Sequence, residues 1–535
     1  MRKKPDPEAM KLSEQIQISK RAFHYLFSLG RPHVIYLYLI GNTIVQNVMP
    51  YVSIFFSAKL IDALYEGRPA AGLAVLVLLT VGSIFLLNLL GTWLSSGYAV
   101  ASDEVFRSQG WDQCQKALKM AYASVEDADV AALRARIDME SQTGYNLWYL
   151  SECTRRLVAS LTRIVMSFSL TVSFFLLEAV PFFMKAALAG GILLSLVCGV
   201  DMNRKTEACR QAFMESCVDA NVFSEKYYQY IEHYSSGKDI RIYDMARSLL
   251  ETNREKMEDL NLNALQMHWK ICGLKAVDLL CTYLLRFGVY LLLLYEAFAG
   301  QVTVGSIARY VSCVMLLLGA CSEMVSALQR QFVNNRYLKR LFSYLDIPNP
   351  MYQGTLTVEK RDDNACTVEF KDVSFCYPNT KTYALRHVNV KFQAGEKLAV
   401  VGQNGSGKTT FVKLLCRLYD PTEGEILLNG VDIRKYDYQE YMSLFSIVFQ
   451  DFKLFDFTLG QNVAAGKRYD RNKVCQCLVQ AGFGERLDAM PEGTESYLYK
   501  GYDGSGVELS GGEGQKIALA RALYKDASFL ILDEP

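Results

Sequence analysis

Six stretches of the chain are long enough, apolar enough and poor enough in charge to read as bilayer-crossing helices: Val34–Leu60, Gly72–Val100, Leu157–Leu177, Phe182–Val200, Val277–Phe298 and Val304–Leu328. About twenty apolar residues span the hydrocarbon core. There the backbone has no water to bond, and a helix satisfies its N–H and C=O groups within one segment. The composition, 51% apolar and 21% charged, averages two unlike parts. The long uncharged runs lie between about residues 34 and 326, and Thr367 to Pro535 reads as an ordinary soluble domain. A chain of 535 residues is expected to hold more than one domain.

The turns within each pair of spans are short: Tyr65-Glu66-Gly67-Arg68-Pro69, Glu178-Ala179-Val180-Pro181 and Ala299-Gly300-Gln301. The connections between pairs, Ala101–Arg156 and Asp201–Ala276, are long. Basic residues fall in the N-terminal tail (Arg2, Lys3, Lys4, Lys11, Lys20, Arg21, Arg31) and in the long connections (Arg107, Lys116, Lys119, Arg134, Arg136, Arg204, Lys205, Arg210, Lys238, Arg241). Among the short turns Arg68 is the exception. Basic loops stay on the cytoplasmic side, so the tail and the long connections are expected inside, and six crossings return the chain to that side.

The long connections are polar but contain few glycines or prolines, so they are expected to continue the membrane helices into the cytosol; thirty helical residues reach about 45 Å. Ser124–Asp129 and Ser235–Asp244 interrupt them. Each reads either as a short helix across the end of a long helical hairpin or as a plain surface turn. Charges within spans are costly and usually face water or a partner. Arg286, near the middle of the fifth span, is a candidate for lining a cavity or for a buried ion pair. Asp278, Arg309 and Glu323 lie nearer span ends, where side chains can snorkel.

Tyr344-Leu345-Asp346-Ile347-Pro348-Asn349-Pro350 breaks the last long helix, and a polar stretch to Asn364 reads as a linker. Short strands follow. Val368–Phe375 alternates and ends at Tyr377-Pro378; Gly424–Gly430 reads as a hairpin; Leu444–Phe449 is an apolar strand ending at Gln450. Lys397–Val401 reads as a strand that leads into Gly402-Gln403-Asn404-Gly405-Ser406-Gly407-Lys408-Thr409-Thr410 and then an apolar helical pattern from Phe411 to Tyr419. This is the G-x-x-x-x-G-K-[ST] phosphate-binding loop. Its glycines allow the tight turn that aims N–H groups at an anion; Lys408 supplies a point charge for the outer phosphates and Thr409 a ligand for Mg²⁺. A second apolar strand, Ser528–Leu532, ends on Asp533-Glu534. Asp533 suits Mg²⁺, and Glu534 suits polarising an attacking water. Strands alternating with helices predict a mainly parallel α/β core.

The net charge of +1 gives no indication of nucleic-acid binding. The fourteen cysteines are scattered, with Cys475 and Cys477 closest, and read as reduced, mostly buried thiols. The basic N-terminus lacks the short apolar core and small-residue cleavage site of a signal peptide.

Together these residues resemble the ATP-binding cassette (ABC) transporters. Leu509-Ser510-Gly511-Gly512-Glu513-Gly514-Gln515 resembles the family signature LSGGQ, and it opens a helix from Lys516 to Tyr524. Phosphate loop, Gln450, signature and Asp533-Glu534 occur in family order. The membrane half is similar to the exporter type: Gly300–Gly305 is like the family's turn into the sixth span, and Gly237-Lys238-Asp239-Ile240-Arg241 like the segment near its second coupling helix. The resemblance implies a fold of two parts, an all-α six-helix transmembrane domain followed by an α/β P-loop nucleotide-binding domain. The boundaries expected are a cytoplasmic segment 1–33, a membrane domain 34–345, a linker 346–365 and a nucleotide-binding domain 366–535.

The same resemblance implies roles. Tyr377 stacks on adenine, unless it is a strand-end core tyrosine. Gly402, Gln403, Asn404, Gly405, Ser406, Gly407, Lys408, Thr409 and Thr410 wrap the phosphates of ATP. Thr409, Gln450 and Asp533 serve Mg²⁺, and Glu534, Gln450 and Lys408 act in catalysis. Leu509, Ser510, Gly511, Gly512, Glu513 and Gln515 meet ATP held by a second half-transporter subunit, identical or related. The short helices at Ser124–Asp129 and Asp239–Asp244 couple the two halves. The expected activity is ATP-driven export of a substrate the sequence does not identify, across the plasma membrane, with N-terminus and nucleotide domain in the cytoplasm and no nucleic-acid partner. Import on the same fold, or a non-transporting ATP-driven regulator or channel, is the alternative. Soluble cassette ATPases are excluded by the six spans. Two departures stand out. Tyr499–Gly506 replaces the T-E-V-G-E-R-G-like stretch of many exporters, and the sequence stops at Pro535, where the family continues, which implies a nucleotide domain incomplete at its C-terminus.

Overall fold

The computed structural model describes residues 10–29, 32–175, 182–232, 234–298, 303–349, 351, 354–358 and 366–533. The chain divides into two compact units, residues 1–118 with 129–347, and residues 119–128 with 348–535.

The first unit is helical: α1 (Leu12–Ser28), α2 (Pro32–Tyr65), α3 (Ala70–Lys119), α5 (Ala128–Gln142), α6 (Leu147–Phe175), α7 (Phe182–Glu232), α8 (Tyr234–Ile242), α9 (Ala246–Phe298) and α10 (Val304–Leu345); a short α4 (Tyr122–Glu126), between α3 and α5 in the chain, belongs to the second unit. The expected spans fall on α2, α3, α6, α7, α9 and α10. Among the described residues, α2, α3, α7, α9 and α10 carry stretches long and apolar enough to cross a membrane. The third expected span, Leu157–Leu177, lies on α6 and runs past its end into residues outside the described set. So do the turns at Glu178–Pro181 and Ala299–Gln301. The sequence gives helix and not strand here because leucine, alanine and methionine recur without a proline inside α3, α6, α7, α9 or α10. Leu78 and Leu86 of α3 are exposed, as lipid-facing leucines are. Both interruptions are helical: Ser124–Asp129 becomes α4 and the start of α5, and Ser235–Asp244 becomes α8 with its closing turn.

Polar contacts set the registers inside this unit. The buried Tyr51 hydroxyl meets Ser167 Oγ at 2.6 Å. Glu323, expected to snorkel, instead pairs with Arg163 at 2.7 Å. Arg309 lies 4.9 Å over the Tyr310 ring. Asp62 of α2 accepts from the Gly305 N–H at 2.9 Å and from the Thr303 hydroxyl at 3.1 Å, so it caps α10 from a neighbouring helix.

The second unit holds an antiparallel sheet of β1 (Thr367–Cys376), β2 (Tyr383–Gln393), β3 (Glu423–Leu428) and β4 (Val431–Asp432), in the order β2-β1-β3-β4, and a parallel pair of β5 (Phe445–Val448) and β6 (Phe529–Leu532). The expected mainly parallel core is thus corrected: among the described strands, one pair is parallel and three are antiparallel. The expected hairpin is present. Leu428 faces Val431 across Asn429 and Gly430, both at positive φ, the two-residue turn that matches strand twist. Lys397–Val401 is not a strand. It runs without a ladder, with Leu398 and Val400 about half exposed and Val401 largely so; its apolar residues satisfy strand propensity, but no described strand pairs with it.

Around the sheets lie α11 (Lys408–Leu415), α12 (Tyr438–Ser443), α13 (Leu459–Ala464), α14 (Arg471–Gln480), α15 (Gly484–Asp488) and α16 (Gly511–Lys525). Helix α11 is shorter than the Phe411–Tyr419 pattern. It stops because Arg417 takes φ +53° and buries its guanidinium completely, donating to the Ile433 carbonyl at 3.1 Å. The core packs Phe370 on Phe411 (centroids 4.5 Å apart) and Phe445 on Phe529 (5.3 Å).

Candidate functional site

The phosphate loop follows the unpaired run Lys397–Val401, and Gly407 is the N-cap of α11. Gly405 and Gly407 take φ +80° and +93°. A Cβ on Gly407 would sit 2.7 Å from Leu385 Cδ2 and 2.8 Å from the Ala384 carbonyl, so strain and space both require glycine. Gln403 accepts from the Ser406 N–H at 3.0 Å and closes the turn. The Lys408 ammonium curls into the loop and donates to the carbonyls of Gly402 (3.0 Å) and Gln403 (3.2 Å). Asn404 lies at the loop's tip, and the loop from Gly402 to Ser406 is open to solvent. An anion in this concavity would face N–H groups at a helix N-terminus and one fixed cation.

The next two residues look in different directions. Thr409 Oγ1 lies 3.3 Å from Asp533 Oδ1, although 124 positions separate them. Asp533 directly follows β6, is buried, and its Oδ2 has no hydrogen-bond partner. A buried carboxylate oxygen with no partner, beside a hydroxyl, at the C-terminal end of a parallel strand, fits a hard cation with oxygen ligands. Gln450 stands two residues past Val448, which pairs with Leu532, so Gln450 and Asp533 share the carboxyl edge of the β5–β6 pair. Glu534 lies outside the described residues. Thr410 turns to Tyr377: their hydroxyls are 2.9 Å apart. The Tyr377 ring meets Phe375 (5.1 Å) and Tyr419 (5.5 Å) edge-on, so it belongs to an aromatic cluster and still adjoins the loop.

Leu509 leads into α16, whose N-cap is Ser510. Ser510 and Glu513 form a capping box: the Glu513 N–H donates to Ser510 Oγ, and the Ser510 N–H donates to Glu513 Oε2 at 2.8 Å. The S-x-x-E spacing makes this part legible from sequence. The Ser510 backbone and hydroxyl bonds, with help from Arg486 at 2.9 Å, hold the Glu513 carboxyl below the usual range. Gly511 and Gly512 form the exposed first turn of α16, and Gln515 lies one turn further on.

Sequence reasoning missed one cluster. Glu126, the last residue of α4, accepts from the Tyr122 hydroxyl at 2.6 Å, from Lys413 Nζ at 2.9 Å and from the Tyr419 hydroxyl. Lys413 also lies over the rings of Tyr122, Tyr377 and Tyr419, within 5.9 Å of each. All belong to the second unit, because residues 119–128 are part of it. Burial pushes the Glu126 carboxyl up, but the two hydroxyls and the ammonium outweigh it and hold the group below its ordinary value.

Comparison with known proteins agrees with this arrangement. Residues 385–535 match the ABC transporter family model. Subtilin transport ATP-binding protein SpaT of Bacillus subtilis is 29% identical over 99% of this chain and 84% of its own length. An ATP-dependent lipid A-core flippase of Paraburkholderia xenovorans is 36% identical over 45% of this chain, and the match spans 39% of the flippase. A bacterial Atm1-family ABC exporter solved with ATP bound superposes with a TM-score of 0.71 at 19% identity, covering 97% of this chain and 86% of that one. The chain carries an ABC transporter domain over residues 385–535 and, along nearly its whole length, is similar to SpaT in sequence and to an ABC exporter in fold. It is a multi-pass membrane protein with its nucleotide-binding half in the cytoplasm, and its ATPase activity is coupled to transport.

Proposed function

We propose that the chain is one half of a dimeric exporter, that ATP and Mg²⁺ bind at the loop Gly402–Thr410, and that closure of two such halves drives substrate outward. The observation that carries this reading is the approach of Thr409 to Asp533 beside the phosphate loop, with Asp533 Oδ2 left without a partner. Thr409 and Asp533 would hold the cation, which supplies charge neutralisation between the outer phosphates. Lys408 exchanges its two carbonyl contacts for phosphate oxygens. Glu534 takes a proton from the attacking water, and Gln450 positions that water from the adjacent strand end. Ser510 and Gly512 at the N-terminus of α16 contact the γ-phosphate bound to the other half, so one chain alone does not complete a site.

The test is ATP-driven vectorial movement in inside-out vesicles, with Glu534→Gln as the comparison. The amide cannot accept a proton, so the variant should bind ATP normally and lose at least a hundredfold in hydrolysis and transport. Normal turnover by the variant removes Glu534 as the base, and movement in the opposite direction makes the protein an importer.

A further inference from the structure

Arg286 and Asp278 lie eight positions apart on α9, and both line one cavity of about 380 Å³ between α7, α9 and α10. At a rise of about 1.5 Å per residue, Arg286 sits roughly 18 Å and Asp278 roughly 30 Å from the outer end of α9 at Phe298. Across a hydrocarbon core of about 30 Å, that puts Arg286 near the bilayer centre and Asp278 at its cytoplasmic boundary. Neither charge forms an ion pair with another described residue. Arg286 rests instead against Tyr283 and Tyr290, at 5.9 Å and 5.8 Å from their centroids. Charges at such depth are expensive unless they meet a partner or a water-filled pathway, and an opposite charge supplied by a ligand relieves the expense.

The rest of the lining defines the ligand further. Ser195, Thr282 and Ser322 offer hydroxyls that both donate and accept, while Leu279 and Met315 form an apolar wall. Such a cavity suits an amphiphile with amide groups between two charged ends. The backbone positions of the two residues are spaced about 12 Å along the axis of α9. An extended peptide advances about 3.3–3.6 Å per residue, so three to four residues match that span. A phosphoethanolamine headgroup, with only a two-carbon bridge between its charges, is too short for it.

We propose that this cavity binds a short apolar peptide segment with an ammonium at one end and a carboxylate at the other, the carboxylate on Arg286 and the ammonium on Asp278. The proposal rests on the export reading above and names a substrate class for it.

Trileucine is a suitable probe, since its free ends carry both charges. Its binding to the nucleotide-free protein in phosphatidylcholine nanodiscs should be at least tenfold tighter than that of N-acetyl-trileucine or of trileucine amide. Asp278→Asn should erase the difference between free and acetylated peptide and keep the preference over the amide. Arg286→Gln should do the reverse. Equal affinities of the three peptides for the unmutated protein overturn the proposal without any variant. A variant that alters both preferences alike overturns the assignment of the two ends. Displacement of trileucine by phosphatidylethanolamine added to the nanodisc makes a headgroup the occupant and also overturns it. Charge-selective binding without ATP-driven uptake leaves the site standing and counts against the export reading; uptake of other substrates without trileucine binding does the opposite.

Discussion

Replacing Glu126 by glutamine should loosen α4 from its seat on the nucleotide-binding unit without disturbing the phosphate loop. The carboxylate accepts three hydrogen bonds, from Tyr122, Tyr419 and Lys413. Bonds to a charged group contribute about 1.5–3 kcal/mol each when shielded. Here the Glu126 side chain is 37% exposed and Lys413 18%, so solvent screens part of that contribution. An amide keeps one acceptor oxygen and loses the charge. The net loss is about 2 kcal/mol, which corresponds to roughly thirtyfold in the opening equilibrium. Hydrogen exchange of the α4 amides, measured in nanodiscs, should therefore accelerate about thirtyfold. Lys413→Met should give a similar acceleration, and the double variant less than the product, with a coupling of about 1 kcal/mol. The pH dependence has a fixed sign. Docking lowers the Glu126 pKa, so its contribution is complete above the ordinary value of 4.5 and is lost as pH falls through the lower docked value. Exchange of α4 unchanged within a factor of three in Glu126→Gln would refute the reasoning.

Other expectations concern the nucleotide site. Lys408→Ala should lower ATP affinity and turnover by at least a hundredfold, read by nucleotide binding and phosphate release, because it removes the one cation held inside the loop. Asp533→Asn should raise the Mg²⁺ concentration needed for half-maximal ATPase activity at least tenfold, and chelation of Mg²⁺ should abolish activity in the unmutated protein. Tyr377→Ala should weaken ATP binding about tenfold, as expected for a lost aromatic stacking contact. Tyr377→Phe should bind nearly normally, which separates stacking from the hydroxyl contact with Thr410.

Features written in local sequence are legible in the sequence itself. The loop Gly402–Thr410 carries its glycines at the positions where positive φ or close packing demands them. Ser510 and Glu513 have capping-box spacing, and Asn429-Gly430 has hairpin chemistry. The interruptions at Ser124 and Ser235 were visible because polar residues break a helical pattern. Lys397–Val401 reads as a strand because an apolar, branched run reports strand propensity, while a strand exists only when a neighbour pairs with it. The Glu126 cluster was invisible for another reason: its partners lie 287 and 293 positions away, and nothing in a run of tyrosines and a lysine says that they converge. Arg417 shows the same limit. A lone arginine at the end of an apolar helix reads as surface, yet the Ile433 carbonyl and Asp420 make burial tolerable.

The unbroken length of α3 has a kinematic consequence. Its 50 residues contain no proline and run from the Ala70 end to Lys119, adjoining the segment that holds α4. A rod of about 75 Å behaves as a lever. Tilting it by only 3° about one end sweeps the other through about 4 Å, roughly three-quarters of the rise of one helical turn. Motions too small to change any single hydrogen bond at the pivot are therefore large enough, at the far end, to change which side chains meet.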